Sequence, residues 1–107
     1  MRPNRIKQMW RENRPVAAAW LTLGEPHAAE LLAHQGFDAI VIDMQHGTGV
    51  TPDRAVDCIR AINTTDAVPL VRIPWNEPVH FQSVLDAGAL GVIVPLVNSP
   101  AEAARAK

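Results

Sequence analysis

Three stretches of this 107-residue chain carry side chains able to do chemistry. One reads Asp43-Met44-Gln45-His46-Gly47, a second places Arg72 ahead of Pro74-Trp75-Asn76, and a third passes Trp20 just before Thr22. Each lies at or near the carboxyl end of an apolar run. A carboxylate, an imidazole and a guanidinium brought to one rim suit proton abstraction beside a carbonyl, with His46 moving the proton and Arg72 holding a carboxylate or developing oxyanion. The plainer reading has Asp43, Gln45 and His46 capping a helix or accepting loop amides, and Trp20 and Trp75 lining walls. Asp43 alone leaves the two in balance; Asp43, His46 and Arg72 together, all on strand ends, favour a site.

Other polar constellations carry less. His27, Glu30 and His34 fall at i, i+3 and i+7, a spacing that suits zinc, but they oppose the apolar Ala28-Leu31-Leu32 stripe and read as a solvated face. His80 has no evident partner. Cys58 sits beside an apolar stripe with nothing near it to activate a thiolate, so it reads as a small core residue.

The elements that must position these residues alternate. Residues 16–23 form an apolar run closed by Gly24, read as a buried strand. Pro26 opens a helix whose Ala28, Leu31, Leu32 and Gln35 share one face and which stops at Gly36. A second strand over residues 39–42 ends at Asp43. Thr51 and Pro52 start a helix bearing Ala55, Val56, Ile59 and Ile62, followed by a third strand over residues 68–73. Asn76 is expected to cap the next helix, which stops at Gly88; a fourth strand covers residues 92–94; Ser99-Pro100-Ala101-Glu102 is a capping box. Residues 1–14 read as a short solvated helix. Strands apolar on both sides, each followed by a helix, predict an α/β fold with a parallel sheet. Lacking G-x-G-x-x-G and a P-loop, with Gly47-Thr48-Gly49 only a short flexible turn, the pattern favours the first half of a (β/α)₈ barrel over a doubly wound sheet.

Composition narrows the classes. A chain that is 48% hydrophobic and 20% charged, with net charge -1, has material for a core and little electrostatic support for binding nucleic acid. No apolar run approaches a membrane span, and a lone cysteine fits a reducing compartment, so the expected address is cytoplasmic, with no membrane partner. At this length one domain, or part of one, is expected.

Taken together, Trp20-Leu21-Thr22-Leu23, Ala29-Glu30-Leu31-Leu32, Gly36-Phe37-Asp38, Asp43-Met44-Gln45-His46-Gly47, Val71-Arg72-Ile73-Pro74-Trp75-Asn76-Glu77-Pro78, Leu85-Asp86-Ala87-Gly88-Ala89 and Val94-Pro95-Leu96-Val97-Asn98 resemble the HpcH/HpaI aldolase family in order along nearly the whole chain. The D-x-x-H-G and V-R-x-P-W-N steps are the most specific. The resemblance implies a class II, metal-dependent pyruvate aldolase of catabolism, of the 4-hydroxy-2-oxoheptanedioate or 2-keto-3-deoxy-sugar-acid type, built on a (β/α)₈ barrel of roughly 250 residues and homo-oligomeric. By that resemblance His46 is the general base, Arg72 steadies the pyruvate enolate, and Asp86 raises the basicity of His46. Asp43 is an outer partner of the metal, Trp20 a wall of the substrate pocket, and Gln45 stands where many relatives carry glutamate. Asp86, however, falls near the end of the third βα-unit helix, away from the active rim, and reaches His46 only by an irregular path or from another subunit.

The resemblance also implies that the ligands of the divalent metal, Mg²⁺, Mn²⁺ or Co²⁺, lie beyond Lys107. The expectation is therefore of a partial barrel domain over residues 1–107, with base and arginine but no metal site, inactive alone; its partners would be a 2-oxo acid and an aldehyde. Two alternatives stand beside it: a non-catalytic half-barrel that oligomerises or binds a ligand, and a citrate-lyase-like relative acting on acyl-CoA.

Overall fold

A computed structural model describes residues 2–107. Four strands, β1 (Ala18–Leu21), β2 (Ala39–Asp43), β3 (Val68–Arg72) and β4 (Gly91–Ile93), form one parallel sheet in the order β1-β2-β3-β4. Consecutive order is that of a barrel wound in one direction; a doubly wound sheet reverses order at its centre. The chain folds as four βα units, the first half of a (β/α)₈ barrel. The pairing register sets Ala18 beside Ala39, Ala39 beside Val68, and Asp43 beside Arg72. β2 lies inside the sheet and is buried at all five positions, as its unbroken apolar run requires.

β1 is shorter and wetter than the run over residues 16–23 suggests. Only Leu21 is buried, because β1 is an edge strand and one of its faces is open. Ahead of it, Ala17 N–H donates to the Asp38 carboxylate and its carbonyl accepts from Asp38 N–H; beyond it, Leu23 forms an isolated bridge with Thr48.

Helices α2 (Pro26–Ala33) and α3 (Pro52–Ile62) cover one face of the sheet. Ala29, Ala33, Ala55, Cys58, Ile59 and Ile62 pack there against Leu21, Ile40, Ile42 and Val71. The α2 stripe is rotated from expectation: Ala29 and Ala33 are its buried residues, while Leu31 is 68% exposed. Close approach of α2 to the sheet selects alanine for the contact and turns the larger leucine outward.

The other face differs at its two ends. α1 (Arg5–Arg11), expected to be solvated, buries Ile6 and Met9 and sets Ile6 against Ala39 and Val68, the first residues of β2 and β3. It is fastened there by Arg2 donating to Asn63 and to the Thr65 and Ala67 carbonyls, by Asn4 donating to the Leu90 carbonyl, and by the Arg5–Asp38 ion pair. The amino ends of the strands are thereby capped, leaving the carboxyl ends open. α4 (Pro78–Asp86) begins after Glu77, not Asn76; the Asn76 amide instead donates to the Glu102 carbonyl in α5 (Pro100–Arg105), whose capping box forms as expected.

Candidate active site

Strand parity places Trp20, Asp43 and Arg72 on the face opposite the helices, at the carboxyl ends. Asp43 and Arg72 close adjacent strands in register, so their side chains meet directly. The pair is bidentate: Arg72 Nε donates to Asp43 Oδ1 at 2.9 Å and Nη2 to Oδ2 at 2.5 Å. Three more donors converge on the carboxylate, Trp20 Nε1 at 3.0 Å, Gln45 N at 3.0 Å and His46 N at 3.1 Å. Its side chain is 2% exposed against 23% for Arg72.

The electrostatics follow from that crowding. The Arg72 guanidinium, helped by the Trp20 indole and the two loop amides, holds the Asp43 carboxyl well below the usual carboxylate range although burial opposes ionisation. Asp43 in turn raises Arg72. The guanidinium carbon also stands 5.0 Å from the centroid of the Trp20 ring, a cation–π contact. Asp43 thus fixes two Arg72 nitrogens, and among the described residues nothing accepts from Nη1. A planar cation locked at one edge and open at another suits recognition of a carboxylate or an enolate oxygen.

The loop carrying His46 is clamped, not flexible. Gly47 N donates to the Asp43 carbonyl at 3.1 Å, Thr48 N to the Thr22 carbonyl at 2.7 Å, and Gly24 N to the Thr48 carbonyl at 3.1 Å. A Cβ on Gly24 would stand 2.0 Å from the Gly49 carbonyl oxygen, and one on Gly47 would stand 2.2 Å from that of Asp43. Gly49 itself has φ +67°. Glycine at 24 and 47 lets two loops cross backbone to backbone, which binds the segment after β1 to the segment after β2.

Asp43, Arg72 and Trp20 are therefore in mutual contact. Gln45 and His46 join through their amides, Gln45 half-buried and the His46 imidazole exposed at the rim. Asp86 does not join them. It is the exposed last residue of α4, which returns antiparallel to the strands, so it lies at the amino end of the sheet. The plainer reading of Asp43 as an acceptor of loop amides and the site reading both describe it, since one carboxylate serves the loop and the arginine. The sequence reading missed the Trp20–Asp43 bond and the Gly24 crossing; the signal for the first was that Trp20 stands on the same strand face as the other two.

Apolar side chains flank this centre on neighbouring loops, with Leu23, Trp75 and Leu96 each more than half exposed. Among the described residues no three His, Cys, Asp or Glu side chains stand close enough to hold a metal ion. Asp43 itself is saturated by five donors. Cys58 is fully buried, which pushes its thiol up to about 11. No helix of the described residues is long and apolar enough to cross a membrane.

Comparison with known proteins places this geometry. The chain is 42% identical over 100 residues to the hydroxypyruvate/pyruvate aldolase of Rhizorhabdus wittichii, an alignment covering 94% of this chain and 39% of that protein. It is 37% identical to the 4-hydroxy-2-oxo-heptane-1,7-dioate aldolase of Klebsiella pneumoniae, over 94% of this chain and 37% of the relative. The crystal structure of an HpcH/HpaI aldolase/citrate lyase family protein from Burkholderia cenocepacia superposes with a TM-score of 0.88 at 37% identity, covering 97% of this chain and 41% of that one. The chain thus spans about two-fifths of the length of the relatives it matches. The sequence profile of one family covers residues 17–107, from the start of the sheet onward and including Trp20, Asp43, His46 and Arg72; the chain belongs to the HpcH/HpaI aldolase/citrate lyase family.

Proposed function

We propose that these four βα units serve a carbon–carbon lyase, catalysing reversible aldol cleavage of a 4-hydroxy-2-oxo acid to pyruvate and an aldehyde. The observation that carries the reading is the Arg72 guanidinium, locked by Asp43 at the carboxyl ends of the strands with Nη1 left for a ligand, while the same carboxylate accepts from the His46 amide and so holds that residue at the same rim. Breaking the C3–C4 bond leaves an electron pair on the pyruvate fragment, delocalised onto the 2-oxo oxygen. A fixed cation there lowers the barrier because it is oriented before the charge appears. His46 removes the proton from the 4-hydroxyl as that bond breaks, which an exposed imidazole on a clamped loop can do. Trp20 walls the substrate and orients Arg72 from its ring face. Asp43 is in this reading a positioning residue for Arg72, Trp20 and the His46 loop.

The described donors do not fit a divalent cation, because Asp43 has no vacant acceptor and, among the described residues, no three His, Cys, Asp or Glu side chains gather to hold one. No step here passes through a metal; the Mg²⁺, Mn²⁺ or Co²⁺ of the reading belongs to acidic residues outside this chain. Asp86 enters the reading from another subunit of a homo-oligomer. Joining residues 1–107 to the remainder of the Rhizorhabdus wittichii relative tests the proposal. Pyruvate release from 4-hydroxy-2-oxo acids should require added divalent metal and should fall at least ~100-fold in His46→Ala. Full activity in excess EDTA would contradict the reading.

A further inference from the structure

Among the described residues two that are not glycine have positive φ. Asn13 is of a type that tolerates the left-handed region; Leu96, at φ +56°, is not. A bulky residue keeps that conformation only where its surroundings fix it, and such outliers gather at functional sites. Asn98 Nδ2 donates to the Leu96 carbonyl at 3.0 Å, and the Asn98 and Ser99 amides donate to the Glu102 carboxylate, so the loop after β4 is held. What this backbone presents is an isobutyl group, 57% exposed. Trp75 stands on the loop after β3, 54% exposed, and that loop is tied to α5 by Asn76 Nδ2 donating to the Glu102 carbonyl at 2.8 Å. Trp75, Asn76, Pro95 and Leu96 line one cleft with Glu102 and Arg105. The cleft is only about 30 Å³, so the two loops nearly meet and the indole and the leucine form one apolar surface.

We propose that Trp75 and Leu96 select the aldehyde by binding its substituent, and that this substituent is an uncharged alkyl or aryl group; the assignment rests on the aldolase reading. Asp43, Arg72 and Ile93 share one register row across β2, β3 and β4. Three residues beyond each of them the chain places His46, Trp75 and Leu96, in that order around the rim. With the pyruvate end on Arg72 and the 4-hydroxyl at His46, the group carried by C4 is the part of the substrate left to meet the neighbouring loops. The surface those loops offer is apolar. Glu102 and Arg105, three residues apart on α5, carry opposite charges, so the cleft holds no net charge to recruit a carboxylate. Against such a surface each added methylene discriminates by roughly tenfold or more.

Residues 1–107 joined to the remainder of the Rhizorhabdus wittichii relative, with added divalent metal, test this in the aldol direction. There C3 of pyruvate gives up a proton and bonds to the aldehyde carbon, while His46 returns a proton to the aldehyde oxygen. kcat/KM should be at least ~10-fold higher for hexanal than for glycolaldehyde. Leu96→Asn, whose new side chain is at ease at positive φ, and Trp75→Ala should each lower that ratio about tenfold and leave KM for pyruvate unchanged, whereas Leu96→Met should keep the ratio. A residue that only held its loop would slow both aldehydes alike. If Trp75→Ala unfolds, Leu96→Asn decides by the same ratio. Failure to join pyruvate to any aldehyde overturns the aldolase reading and this assignment with it. Product formation with a ratio unmoved by Leu96→Asn and Trp75→Ala, or a higher kcat/KM for 4-oxobutanoate than for hexanal, overturns the assignment alone.

Discussion

Asp43 is the residue on which the rest of the site depends, since Arg72, Trp20 and the His46 loop all bond to the same two oxygens. Replacing it with asparagine keeps the shape but leaves Arg72 half-buried without its counter-charge. Asp43→Asn should therefore cost about 3 kcal/mol, read as a lower urea midpoint. The pH dependence has a fixed sign. The folded-state value of Asp43 lies below its unfolded value of about 3.9, so its contribution is complete above that pH and is lost as the pH falls toward the folded-state value. Wild-type stability should accordingly drop below about pH 4 more steeply than that of Asp43→Asn, measured by urea titration across pH 2.5–5. Cys58 behaves oppositely as a chemical group: buried and held protonated up to about 11, it should resist Ellman's reagent at pH 8 until the chain unfolds. The sequence marked Asp43, Arg72 and Trp20 by their places at or near the carboxyl ends of apolar runs, but not that they touch, because Asp43–Arg72 contact depends on register between strand residues 29 apart.

At the scale of elements, the crossing of the two loops does most to place His46. A methyl group at position 24 has no room against the Gly49 carbonyl, so the loops must part. Gly24→Ala should destabilise by about 2 kcal/mol and speed amide exchange at Thr48 and Gly24, while leaving exchange within β2 unchanged. The turn chemistry of Gly47-Thr48-Gly49 was legible and its rigidity was not, since the partner carbonyls come from Thr22 and Asp43. Caps show the same division. Ser99 and Thr51 act locally and were read directly, whereas Asn76 was drawn away from its helix by the Glu102 carbonyl, a contact 26 residues distant.

For the molecule as a whole, α1 seals the amino ends of the strands and leaves the chemistry to the carboxyl ends. Ile6→Ala should cost about 3 kcal/mol, measured by thermal or urea unfolding, because it empties the only large side chain of α1 set against Ala39 and Val68. Composition misread α1 as solvated, since a seven-residue helix with three basic residues of its own and Arg2 and Arg14 beside it looks like surface until a sheet end needs a cover. By itself the sequence determined the alternation of strands and helices, the parallel sheet, the positions of the Thr51 and Ser99 caps and the residue types at the strand ends, all of which rest on interactions within about a dozen residues. The tertiary structure alone decided the strand order and register, the rotation of α2, the burial of α1 and the sharing of one carboxylate by Arg72, Trp20 and the His46 loop. Those depend on which distant surfaces are pressed together, a choice made by packing the whole sheet at once.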